Sequence, residues 1–151
     1  MNLKSRIEQD LKTALLEGDK LRVSTLRTVK NAILYIEVEK GARDKGLDDQ
    51  TIVSILNKEA KKRQESVDLY KKAGEEARAE QELKEKAIIE SYLPPALSEA
   101  QINELVDIVL GEIDKHSPQA MGVAIAQVKE RSNGAADGAT IARLVKDKLA
   151  T

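Results

Sequence analysis

The 151-residue sequence has no cysteine, tryptophan or phenylalanine, and histidine occurs once. Disulfide scaffolds, thiol catalysis, zinc clusters and haem sites are therefore excluded, because their ligands and nucleophiles are missing. We expect no metal site and no cofactor. Tyr35, Tyr70 and Tyr92 are the only aromatic residues, so base stacking of the kind that single-strand binders use is nearly unavailable.

Long apolar runs are absent as well. No segment approaches the roughly 18 apolar residues that a membrane-spanning helix needs, and no hydrophobic signal opens the chain. We therefore expect a soluble, cytoplasmic protein without membrane contact. The 25 basic and 26 acidic residues give a net charge of −1, which excludes a globally basic nucleic-acid binder but allows a local basic patch.

The residues that are present favour helices. Aliphatic side chains recur at three- and four-residue spacing among glutamate, lysine and arginine, and no stretch alternates like a strand. This pattern predicts an all-α protein, with an N-terminal four-helix region containing a long helical hairpin, followed by a small three-helix domain. Pro94 and Pro95 mark the boundary, because each removes a backbone donor and disfavours helix in the preceding residue. The predicted domains are residues 1–93 and 96–151.

Local sequence signals predict where several helices begin and end. Ser98 and Gln101 form a capping-box pattern at the start of the fifth helix. Ser117 and Pro118 predict an N-cap and a first helical residue for the sixth helix, and Gly134 is expected to end it. Three aspartates are predicted N-caps of other helices: Asp19, Asp48 and Asp137.

Charge is unevenly distributed in the second half of the chain. Residues 93–128 contain one lysine and five acidic residues, whereas residues 129–151 contain five basic and three acidic residues. In the basic segment, Gly134 and Gly138 indicate a tight loop that ends at a helix N-terminus, where unpaired backbone N–H groups can accept an anion. Lys129, Arg131 and Arg143 are close enough in sequence to surround that site. An ordinary helix–turn–helix connection would use the same residues.

Two other features have both a functional and a structural interpretation. Lys58, Lys61 and Lys62 can share one face of the third helix, either as a solvated surface or as a secondary phosphate-binding face. His116 lies at a predicted helix end without a nucleophile or carboxylate that would make it catalytic, so we interpret it as structural.

Three segments in a fixed order resemble the YqeY-like family: SYLPPALSE (91–99), MGVAIAQVKERSNGAADG (121–138) and ARLVKDKL (142–149). LRVSTLRTVKNAI (21–33) also resembles the second helix of that family, so the resemblance covers essentially the whole chain. The C-terminal half is similar to the tail domain of GatB, the B subunit of tRNA-dependent amidotransferase. The resemblance thus implies an N-terminal helical domain followed by a GatB-tail-like domain.

The GatB tail helps to hold tRNA, so the resemblance implies a tRNA-binding accessory protein that works with an amidotransferase, a tRNA synthetase or another tRNA enzyme. No DNA partner is expected. The family usually has a basic residue where this chain has Ala135, which leaves other residues as candidates for RNA contact. The candidate RNA-binding residues are Lys129, Arg131, Gly134, Asp137, Gly138, Arg143 and Lys146.

Two alternatives to this function stay open at the level of sequence. The near-zero net charge and the acidic segment 93–128 are also typical of a helical protein–protein adaptor that never contacts RNA. Through GatB, the family is linked to carbon–nitrogen ligases that use glutamine as the amido-N-donor. This chain lacks the serines and metal ligands of that chemistry, so we assign no catalytic residue and do not expect catalysis by the chain alone.

Overall fold

A computed structural model describes residues 2–151 and contains seven α-helices and no strand in that range. The all-α fold predicted from the sequence is confirmed, including the order of four helices followed by three. The helices are α1 (Leu3–Glu17), α2 (Lys20–Glu39), α3 (Asp49–Lys72), α4 (Glu76–Glu90), α5 (Glu99–Glu112), α6 (Ala120–Ser132) and α7 (Gly138–Leu149).

The chain divides into two compact units, an N-terminal unit (Met1–Leu93) and a C-terminal unit (Pro94–Thr151). Each unit has its own apolar core. The N-terminal core is built mainly from aliphatic side chains of α1 to α4, including Ile7, Leu26, Ile33, Ile52, Leu56 and Ile89. The C-terminal core is built from α5, α6 and α7, including Ile102, Val106, Val109, Ala124, Val128, Ile141 and Val145.

In the N-terminal unit, α3 and α4 form the predicted long hairpin. Gly74 connects them in the left-handed backbone region (φ 75°), which glycine adopts without steric cost. Arg63 of α3 forms ion pairs across the hairpin with Glu82 at 3.4 Å and Glu85 at 3.2 Å. Burial is the main cause that raises the pKa of Glu85, and the charge of Arg63 opposes it.

The end of α4 is fixed to α1 by a buried tyrosine. The Tyr92 hydroxyl donates a hydrogen bond to Asp10 Oδ2 at 2.5 Å, and the Arg6 guanidinium lies 4.8 Å from the centre of the Tyr92 ring. Burial first, and then the hydrogen bond and charge of Asp10, raise the pKa of Tyr92 to about 12. The hydroxyl therefore stays protonated, and stays a donor, throughout the neutral range.

Most predicted helix ends are confirmed by hydrogen bonds. Asp19, Asp48 and Asp137 each accept from a backbone N–H in the first turn of their helices, and Ser98 and Gln101 form the complete capping box. The predicted start of the sixth helix is wrong. The Ser117 hydroxyl accepts from the backbone N–H of Gln119 in a local turn, so α6 begins only at Ala120.

The end of α6 agrees with the prediction to within one residue. Asn133 rather than Gly134 is the C-cap, with a left-handed backbone (φ 50°), and Gly134 continues in the same region (φ 81°). Asparagine tolerates this conformation better than most side chains, so two successive left-handed residues turn the chain sharply after α6. The loop that follows leads directly to α7.

Candidate nucleic-acid interface

The loop between α6 and α7 is anchored within the C-terminal unit. The backbone N–H of Leu97 donates to the carbonyl oxygen of Ala135 at 2.8 Å, and the Ala135 N–H donates to the Ser132 carbonyl at 2.9 Å. Ser132 is itself buried. The position of the α7 N-terminus is therefore determined by the loop backbone.

Asp137 caps that N-terminus with its carboxylate. Its Oδ2 accepts from the Thr140 backbone N–H at 3.0 Å and from the Thr140 hydroxyl at 2.8 Å. One of the first-turn donors of the helix is thereby satisfied within the chain. Asp137 acts here as a cap, since a carboxylate cannot itself attract a phosphate.

Lys129 lies against the first residue of α7. A Cβ atom placed on Gly138 would be in van der Waals contact with the lysine, 3.6 Å from Lys129 Cε and 3.9 Å from Lys129 Nζ. Lys129 is exposed and forms no salt bridge with any described residue. An unpaired ammonium group beside the positive end of a helix dipole is an arrangement that attracts an anion.

The two candidate arginines do not join Lys129 in one cluster. Arg131 forms an ion pair with Glu112, and Arg143 forms one with Glu99 at 2.7 Å. Hydrogen bonds to these carboxylates raise the pKa of both arginines. Lys129 and Arg131 are also two positions apart on one helix, and side chains at that spacing do not face each other.

Lys146 is the other candidate without a salt-bridge partner among residues 2–151. It is exposed on α7 eight residues after Gly138, about 12 Å along the helix axis at the usual rise. Lys148, which follows it, is paired with Asp107. Each partnered cation of α6 and α7 thus contacts an acid of α5: Glu99, Asp107 or Glu112.

This neutralisation was not predicted from the sequence. In the sequence, the acidic segment 93–128 and the basic segment 129–151 form only a contrast in charge, and no local spacing connects Glu99 to Arg143, 44 positions later. The sequence does contain one signal for the neutralisation, which is the presence of exposed acids on α5 and of cations on α6 and α7. α5 carries acids on exposed positions, and a small three-helix unit must pack α5 against α6 and α7.

On α3, the secondary basic face is only partly free. Lys58 and Lys61 are exposed, and Lys62 pairs at 3.2 Å with Glu59, a buried carboxylate one turn earlier. This face therefore has two lysines available to solvent.

Two further properties apply to residues 2–151 as a whole: no group of three His, Asp or Glu side chains is placed to hold a metal ion, and no helix is long and apolar enough to cross a membrane.

Comparison with known families shows the family to which this chain belongs. A family model described as "Yqey-like protein" matches residues 4–149. The chain belongs to the YqeY-like family. The resemblance drawn from residues 91–99, 121–138 and 142–149 is therefore confirmed at the level of the family.

Its curated relatives include proteins of yeasts called "Altered inheritance of mitochondria protein 41, mitochondrial". The relative from Lachancea thermotolerans is 30% identical over 116 residues, which is 76% of this chain and 61% of that protein. The relative from Kluyveromyces lactis is 30% identical over 114 residues, 74% of this chain and 60% of that protein. The relative from Eremothecium gossypii is 29% identical over 127 residues.

The first two matches span about three fifths of the relatives' length. Their names also correct one expectation from the sequence. The cytoplasmic location inferred from the absence of a hydrophobic signal is contradicted, because all of these relatives are named as mitochondrial proteins. The absence of an apolar signal does not separate the two locations, because mitochondrial transit peptides in general are amphipathic and rich in arginine.

Proposed function

We propose that this member of the YqeY-like family is a tRNA-binding accessory protein that works with a tRNA-dependent amidotransferase or another tRNA enzyme, such as a synthetase. The C-terminal unit holds the sugar-phosphate backbone. It contributes binding, and the reaction is carried out by the partner enzyme. The proposal rests on the similarity between the C-terminal segments of the chain and the GatB tail, and it assigns the role of that tail to the chain as a whole.

The observation that carries the proposal is the position of Lys129. Its ammonium group lies beside Gly138, where α7 begins, without a carboxylate partner among the described residues. The helix N-terminus and the lysine are both positive. One phosphate group bound between them interacts favourably with both. Lys146 extends the positive surface along the exposed side of α7.

Recognition in this arrangement is by shape and charge. The major groove of duplex RNA is too deep and narrow for side chains to read, so proteins contact phosphates and 2′-hydroxyls instead. Tyr92 is buried, so the aromatic surface open to unpaired bases is limited to Tyr35 and Tyr70, both in the N-terminal unit. Arg131 and Arg143 join the interface only where RNA phosphates replace Glu112 and Glu99 as their partners.

The proposal is tested with a double substitution in the full-length chain, Lys129→Gln with Lys146→Gln. Fluorescence anisotropy with labelled tRNA should show weaker binding, and the slope of log K against log salt should become shallower by about 1.5, since each neutralised phosphate contributes about 0.7 to 0.9. Different tRNAs should be affected alike, because phosphate contacts carry no sequence information.

The matched control is Lys58→Gln with Lys61→Gln. These lysines are also exposed, helical and unpaired, so the control removes the same charge from α3. Binding by the control should stay close to that of the parent. Equal affinity and equal salt dependence in the parent and the Lys129/Lys146 variant would refute the C-terminal RNA site.

A second function is favoured by a separate observation. Leu34, Tyr35 and Val38 lie on one stripe of α2 and are 40%, 70% and 60% exposed, an arrangement that suits a helical adaptor docking on a partner protein. If the chain is an adaptor, a partner protein should still co-purify with it after nuclease treatment. That partner should be lost when Tyr35 and Val38 are changed to glutamate. Loss of the partner on nuclease treatment alone would favour RNA.

A further inference from the structure

An open cavity of about 510 Å³ lies in the N-terminal unit, between the end of α1 and the first half of α2. Its polar lining comes from one stripe of α2, at positions spaced by three or four residues: Lys20, Ser24, Arg27, Thr28 and Asn31. Leu15 and Val23 form an apolar wall. Except for Lys20, the stripe lies in segment 21–33, which resembles the family's second helix and has no role in the C-terminal site.

The lining is positive and rich in donors. None of the described residues that line the cavity is acidic. Lys20 and Arg27 form no salt bridge within residues 2–151, in contrast to the arginines of α6 and α7. The Thr28 hydroxyl donates to the Ser24 carbonyl oxygen within α2, and the side chains of Ser24 and Asn31 supply further donors.

The adjoining surface limits where an anion can bind. Lys20, Ser24 and Lys84 line a second cavity of about 490 Å³, but Glu80 and Glu85 line that cavity as well. Their carboxylates repel a phosphate, so an anion held by Lys20 is directed towards Arg27 on the α2 side. The two cations are seven residues apart, about 10 Å along the helix axis.

We infer that this α2 groove binds a phosphodiester strand of RNA, as a second contact of the same tRNA, an inference that rests on the proposed function. Two cations about two helical turns apart on one stripe, with hydroxyl and amide donors around them, suit separate phosphates of a strand better than one compact anion. The apolar wall of Leu15 and Val23 provides a surface for the ribose.

The first test removes the two cations by Lys20→Gln with Arg27→Gln in the full-length chain. With labelled tRNA at 0.1 M salt, affinity should fall roughly 30-fold, and the salt slope should decrease by about 1.5, since each neutralised phosphate contributes about 0.7 to 0.9. The Lys58→Gln with Lys61→Gln variant is the control of equal charge. It should bind like the parent.

The second test adds a charge and removes none. Ser24→Glu puts a carboxylate between Lys20 and Arg27, and Ser54→Glu makes the same change at an exposed position inside α3. Circular dichroism should show both variants folded, because both sites are exposed and glutamate favours helix. Ser24→Glu should weaken tRNA binding on the order of tenfold. Ser54→Glu should leave binding unchanged.

The outcomes separate the two proposals. If the α2 variants bind like the parent while Lys129→Gln with Lys146→Gln binds more weakly, the groove inference is wrong and the proposed function stands. If the parent itself binds no tRNA, the proposed function fails. If AMP displaces tRNA from the Lys129/Lys146 variant, the inference that the groove binds an RNA strand is wrong. The groove would then be a mononucleotide site.

Discussion

Arg143 Nη2 donates a hydrogen bond to Glu99 Oε1 at 2.7 Å, which joins α7 to the start of α5. Arg131 and Glu112 form the equivalent pair between α6 and the end of α5. Two of the candidate RNA-binding cations are thus occupied by carboxylates in the free protein. If the proposed function holds, an RNA phosphate has to compete with those carboxylates, and the acids of α5 should then weaken the hold of the C-terminal unit on RNA.

This competition predicts a gain of affinity when the acids are neutralised. Glu99→Gln with Glu112→Gln should strengthen tRNA binding by several-fold to about tenfold at 0.1 M salt, because both arginines become available to phosphates. Stability should change by less than about 1 kcal/mol, since these ion pairs are exposed. Glu104→Gln, an exposed α5 residue outside the pairs, is the control. Unchanged affinity in the double variant would show that neither arginine contacts RNA.

A second prediction concerns the Tyr92–Asp10 bond. Tyr92→Phe keeps the buried ring and removes the hydroxyl, so the free energy of unfolding should fall by about 1–3 kcal/mol, as for a hydrogen bond to a charged acceptor. Tyr35→Phe, at a ring that is 70% exposed, should change stability by less than about 0.5 kcal/mol. Urea unfolding measures both. Equal midpoints for the two variants would mean that the bond contributes nothing.

The pKa of Tyr92 adds a pH dependence to this prediction. The folded protein raises the pKa from 10.0 to about 12, so it retains the hydroxyl proton at pH values where the unfolded chain loses it. The stability from this group is full below pH 10 and declines as the pH rises through about 12. The difference in stability between the parent and Tyr92→Phe should therefore shrink in strong alkali.

A third prediction concerns Glu85 in the α3–α4 hairpin. Burial raises the pKa of this carboxyl above 4.5, so the folded chain binds its proton more tightly than the unfolded chain does. That contribution is full below pH 4.5 and declines as the pH rises through the folded value. Relative to the parent, Glu85→Gln should become more stable between pH 4 and 7, with Arg63 still paired to Glu82. A stability difference that is constant with pH would contradict this.

The fourth prediction is that residues 96–151 fold alone. Their core is made within α5, α6 and α7, and small domains bury a smaller fraction of their surface, so stability should be marginal. Circular dichroism should show a helical fragment that melts cooperatively below the temperature of the full chain. A fragment without helical signal at low temperature would show that the two ranges depend on each other.

The fold could be predicted from the sequence because its signals are local. Apolar spacing, the aspartate caps and the Ser98–Gln101 box act within a few residues, and each was found where the sequence placed it. The Ser117–Pro118 prediction failed because the serine has a second option of the same strength: its hydroxyl accepts from Gln119 in a turn that does not continue into the helix.

The candidate site could be predicted only in part, because its charge balance depends on packing. Proximity in sequence placed Lys129 near Gly138, and the structure has them in contact range. It also grouped Arg131 and Arg143 with that loop, whereas helix geometry directs both to α5. The α2 groove was missed because its lining combines the end of α1 with one stripe of α2, and this combination exists only once the two helices are packed.

The central claim is that the chain binds tRNA through unpaired cations, and the salt dependence of binding tests it most directly. Labelled tRNA should be titrated with the full-length parent at a series of salt concentrations. Lys20, Arg27, Lys129 and Lys146 each neutralise about one phosphate in this account, so log K should fall linearly against log salt with a slope of roughly −3. Absence of binding at low salt, or binding that does not change with salt, would contradict the account.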